Sequence, residues 1–110
     1  MTTTQEPQQR TATRAAPRRY PVPLPLRYRA TSKCGTVLGF GLTTMMSSQD
    51  ITFAAGDGLE LGMEAQIAIA WPFLLDGRIP LKLVLDATIT GSQDGVAEAR
   101  ILAYDFRIRR

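Results

Sequence analysis

From Leu26 to Ile108 the apolar residues recur at every second position, in short runs divided by turn-forming residues. That period suits strands, whose successive side chains point to opposite faces, and does not suit amphipathic helices. Leu26-Arg27-Tyr28-Arg29-Ala30 alternates apolar and charged residues, as a half-buried strand does. Thr36 to Met46 is rich in β-branched and aromatic residues, and Gly39 and Gly41 within it are expected to mark a bend or bulge. Ser47-Ser48-Gln49-Asp50 reads as a tight turn before a short strand, Ile51-Thr52-Phe53-Ala54.

The second half continues the pattern. Gly56-Asp57-Gly58 reads as a loop. Glu64 to Trp71 contains helix-favouring Ala and Glu, but the alternation of Ala65, Ile67 and Ile69 and the stop at Pro72 assign it to a strand. Asp76-Gly77 is a hairpin-type turn signal. Leu81 to Ile89 is a strand, Gln93-Asp94-Gly95 a turn, and Val96 to Leu102 the last long strand; Tyr104 to Ile108 is expected to leave the sheet. Pro21 to Leu26 alternates too, but its prolines cannot donate to a ladder, so it reads as an extended approach. Six strands in about 80 residues predict an all-β fold, a small six-stranded antiparallel β-barrel or a sandwich.

The chain has 110 residues, enough for one domain. Residues 1–17 are rich in Thr, Gln, Pro and Arg, and their only apolar side chains beyond Met1 are alanines. Such a segment cannot bury enough surface to offset its ordering entropy and is expected to be a disordered arm, with the domain spanning residues 18–110. No apolar run approaches a membrane span, and the N-terminus lacks the apolar centre of a secretory signal. The expected location is cytoplasmic.

The residue inventory is poor in catalytic groups. Histidine is absent, which removes the commonest general base and metal ligand. Cys34 is the single cysteine, so no intrachain disulfide or cysteine cluster forms; it reads as a small strand residue. The carboxylates are scattered through turns and solvent faces. No metal, cofactor or enzymatic activity is expected.

Charge is distributed unevenly. Residues 1–30 hold six arginines against Glu6 alone, residues 31–99 hold Lys33, Arg78 and Lys82 against eight acids, and residues 100–110 hold four arginines against Asp105. Arginines gathered at the two ends suit a local anionic target better than uniform basicity would. Arg14 and Arg18 stand four apart and Arg19 follows directly. Guanidinium groups grip phosphate oxygens bidentately and stack on bases. The alternative role for these arginines is a solvated, solubilising tail.

At this point the chain resembles the PilZ domain family of bacterial six-stranded β-barrels, many of which bind cyclic di-GMP. The likeness covers roughly Arg18 to Arg110. It is carried by Arg18-Arg19-Tyr20-Pro21 with Leu24-Pro25-Leu26-Arg27-Tyr28, by Thr43 to Phe53, by Gly58 to Met63, and by Ala99 to Arg107, in that order. The resemblance implies a signalling barrel whose Arg-x-x-x-Arg arm and Asp/Asn-x-Ser-x-x-Gly hairpin hold the nucleotide. It assigns ligand contacts to Arg14, Arg18, Arg19 and Ser47. The motifs depart at three positions: Val22 stands where the arginine four after Arg18 belongs, Met45 where the hairpin acid or amide belongs, and Asp50 where the glycine belongs. Charge-assisted hydrogen bonds contribute ~1.5–3 kcal/mol each, so these losses bear directly on binding.

Three readings are therefore open: a cyclic di-GMP receptor, a degenerate PilZ domain acting through a downstream protein partner, and a nonspecific nucleic-acid binder using both basic ends. The aromatic residues form no basic stripe in the sequence and are expected mostly in barrel or seam packing, which weighs against nucleic acid.

Overall fold

The structure, a computed structural model, describes residue 21 and residues 23–109. Six strands run in chain order: β1 (Pro25–Ser32), β2 (Gly35–Met46), β3 (Asp50–Ala54), β4 (Glu64–Ala70), β5 (Leu81–Gln93) and β6 (Val96–Ile108). All pairings are antiparallel, and the strands close into a barrel in the order β1-β2-β3-β6-β5-β4. The all-β expectation holds, and of its two architectures the chain adopts the barrel. The arm expected over residues 1–17 lies outside the described residues.

The period-two pattern sorts side chains between core and solvent. In β1, Leu26, Tyr28 and Ala30 are buried while Arg27 and Arg29 are exposed. Ile51 and Phe53 of β3, Ile67 and Ile69 of β4 and Leu85 and Ile89 of β5 complete the interior, and the Tyr28 and Phe53 rings meet at 5.7 Å. Leu24, Leu59 and Met63 close the core from outside the strands.

Gly39 and Gly41 do not mark a bulge. They pair with Tyr28 and Leu26 of β1, so the largest inward side chains of one strand face the absent side chains of its neighbour. A Cβ at Gly39 would collide with the Tyr28 hydroxyl, and one at Gly41 with the Ala54 carbonyl oxygen. The register of β2 shifts instead between Thr43 and Met45, two residues further on. The extra residue of a bulge is unpaired and moves the following side chains to the other face.

The turn signals hold. Asp94-Gly95 joins β5 to β6 with both residues at positive φ, the geometry a two-residue turn of mirror type needs. Asp76-Gly77 is also at positive φ and closes a small loop in which Leu75 bridges to Ile79. Cys34 is exposed in the β1–β2 turn, so the expectation of a strand position fails there; Ser32 and Gly35 already pair across the hairpin and leave it at the tip.

The C-terminal segment requires the main correction. Tyr104 to Ile108 does not leave the sheet but stays paired with β5, Ile108 opposite Leu81 and Phe106 opposite Leu83. A register shift at Leu102 lets the strand continue: Ile101 pairs with Ala87 and Ala103 with Asp86. The burial expected for the aromatic residues fails in part as well. Tyr28 and Phe53 are buried, but Phe40, Phe73 and Tyr104 are 78%, 69% and 63% exposed.

Candidate functional site

The β2–β3 hairpin is built around Ser47. Its backbone N–H donates to the Asp50 carbonyl at 2.9 Å. Its Oγ accepts from the N–H groups of Gln49 and Asp50, each at 3.1 Å, and donates towards the Asp50 carboxylate, with Oδ1 at 3.3 Å. Ser47 is buried. Its hydroxyl thus closes its own turn, in the manner of a serine turn that replaces a backbone bond. Replacing Ser47 by alanine should lower stability by about 1 kcal/mol through these bonds, and chemical denaturation would measure it.

The outer wall beside this hairpin is mixed in charge. Asp50 pairs with Arg100 in register and Thr52 with Glu98. A shallow cavity of about 230 Å³ there is lined by Gln49, Asp50, Thr90, Glu98 and Arg100. Two carboxylates against one guanidinium disfavour an anion unless further cations are supplied. Met45, at the bulge, is partly exposed and offers no strong polar group.

The chain that leads into β1 is fastened to the same end of the barrel. Leu24 donates its N–H to Thr43 Oγ1 at 2.7 Å and accepts from the Thr43 N–H at 2.9 Å. Both residues are buried. The root of the N-terminal arm is thereby held two residues ahead of Met45 and four ahead of Ser47. Of the four site residues expected from sequence, Ser47 is found at the hairpin; Arg14, Arg18 and Arg19 lie outside the described residues.

A second surface was not foreseen. On the outer face of β1, Arg27 pairs with Phe40 of β2 on one side and Ala68 of β4 on the other, while Arg29 lies between Leu38 and Gln66. Lys82 of β5 pairs with Arg107 of β6. These residues line an open groove of about 540 Å³ with Arg27, Arg29, Lys82 and Arg107 around a floor of Ala68 and Val84. An adjoining hollow adds Arg109. Neither lining contains a carboxylate. The exposed Phe40 ring stands among these cations, so one aromatic residue does occupy a basic stripe. The alternation at Arg27 and Arg29 marks them as outward-facing in sequence. Only the register brings Lys82 and Arg107 alongside.

No group of three or more His, Cys, Asp or Glu suited to a metal ion occurs among the described residues. Among the described residues no helix is long and apolar enough to cross a membrane. Comparison with models of known protein families, with curated proteins and with solved structures finds no match.

Proposed function

We propose that this chain is a non-enzymatic second-messenger signalling module of the PilZ type, which binds cyclic di-GMP between its arginine-bearing arm and the hairpin at Ser47. The observation that carries this reading is the buried Leu24–Thr43 pair, which roots the arm beside the hairpin. Arg19 lies five residues before Leu24, a span of at most ~18 Å when fully extended. Arg18 and Arg19 are therefore within reach of the hairpin surface. Their guanidinium groups would supply the positive charge that Asp50 and Glu98 withhold.

A second reading rests on Ser47. Its hydroxyl is committed to the turn, Met45 offers no polar group and two acids flank the hairpin, so a degenerate PilZ domain acting through protein contacts is the competing function.

Isothermal calorimetry with cyclic di-GMP separates the two. The receptor reading expects heat at micromolar ligand and a loss of roughly tenfold or more in affinity on Arg18→Ala, since a hydrogen bond to a charged group is worth about 1.5–3 kcal/mol. Arg27→Ala, in the groove, should leave that affinity nearly unchanged. Absence of heat at high micromolar ligand favours the degenerate domain. Sensitivity to Arg27 rather than Arg18 would move the ligand to the groove.

A further inference from the structure

We propose that the C-terminal half of β6 is a self-complementary edge through which two copies of this chain form an antiparallel dimer with a continuous intermolecular sheet. Strand β3 covers β6 only along Val96 to Arg100. One further bond on that side, Ile101 N–H to the Gln49 carbonyl at 2.8 Å, ends the seam. From residue 102 onward β6 pairs with β5 alone, and among the described residues no strand lies along its other side.

The direction of the outward backbone groups follows from one bond. Arg109 donates its N–H to Pro80, beside β5, at 2.9 Å. Backbone groups alternate along a strand, so Ile108, Phe106 and Tyr104 aim theirs away from β5, at the open edge. These same three residues pair with Leu81, Leu83 and Leu85 and thus carry their side chains on the core side of the sheet. They are nevertheless exposed, with Phe106 resting on Trp71 at 5.2 Å between ring centroids. An exposed edge with an apolar face is a template for another strand.

The sequence of this edge selects a second copy as that strand. With Phe106 placed opposite Phe106 of the second copy in an antiparallel pair, Tyr104 meets Ile108 and Ile108 meets Tyr104. Each of these positions then exchanges its free N–H and C=O groups with the partner strand. On the outer face, Asp105 meets Arg107 and Arg107 meets Asp105. Within one chain these two already stand side by side at 3.3 Å, both well exposed. Centring the pair on Asp105 instead would set that carboxylate against its own copy, and like charges directly opposite are destabilising. The charges thereby choose the register, and the apolar face extends across both copies. The arrangement is isologous, as a two-fold interface requires.

The test is the mass of the full chain in solution as a function of concentration, by sedimentation equilibrium, together with hydrogen exchange. The proposal expects the 12.1 kDa chain to pass to twice that mass as concentration rises, with the Tyr104, Phe106 and Ile108 amides gaining protection in parallel. Asp105→Arg and Arg107→Asp should each raise the dimer dissociation constant roughly tenfold or more by facing like charges across the seam, and the double swap should restore it. Both side chains are exposed, so circular dichroism should show each variant folded. A chain that stays monomeric to its solubility limit, or single variants that dimerise like the parent, would overturn the proposal. So would edge amides protected equally at all concentrations in a monomer, which would assign the edge to this chain's own residues 1–20.

Discussion

Phe53→Ala should destabilise the barrel by about 3–5 kcal/mol, near the upper end of what one substitution does. Phe53 is fully buried in the short strand β3, which has only five residues to hold β2 and β6 together. Its ring leans on Tyr28 from β1, so truncation empties volume shared by the two strands that flank β2. The barrel cannot collapse into that space without moving a strand that is hydrogen-bonded on both sides, and most of the cavity cost should remain. Urea denaturation followed by tryptophan fluorescence from Trp71 would report the change. Phe40→Ala supplies the contrast. The same residue type removed from the outer face should change stability by about 0.5 kcal/mol or less. Equal losses at both positions would contradict the assignment of faces.

Gly41→Val should cost about 1–3 kcal/mol or more by overpacking rather than by loss of contacts. A Cβ at position 41 meets the carbonyl oxygen of Ala54, a backbone atom that cannot rotate away. Because Leu42 pairs with Ala54, the collision falls on the seam between β2 and β3. The hairpin that carries Ser47 lies at the end of that seam, so the variant should also loosen the turn. A lower denaturation midpoint, with faster hydrogen exchange at Asp50, would register both effects. Gly39 differs in kind. There the obstacle is the end of the Tyr28 side chain, which can shift at the expense of the bond its hydroxyl accepts from Gly56 at 3.2 Å.

The edge of β6 and the groove on the outer wall give the molecule two surfaces with separate chemistry. Arg107 belongs to both: it lines the groove, and in the proposed dimer it faces Asp105 of the second copy. Within one chain that guanidinium already stands beside its own Asp105, and dimerisation would give it a second carboxylate neighbour at the mouth of the groove. The two surfaces are coupled through one side chain.

The faces and limits of most strands were legible in the sequence because they depend on neighbours along the chain. The alternation at Leu26-Arg27-Tyr28-Arg29 sets which side chains turn inward, and Asp94-Gly95 sets where the chain reverses. The role of Ser47 was half legible. The motif placed it at the hairpin, but whether its hydroxyl faced a ligand or its own turn depended on where the Gln49 and Asp50 amides came to lie. The reach of β6 was illegible for a related reason. The register shift at Leu102 moves the apolar positions from odd to even numbers, so the period of the sequence breaks there although the strand continues. Tertiary structure alone decided that the barrel closes through β1 with β4 and β3 with β6, because pairing between strands distant in sequence is set by how a shared core fills. That closure set Lys82 and Arg107 in one groove with Arg27, and left β6 projecting past β3 with no strand among the described residues along that edge.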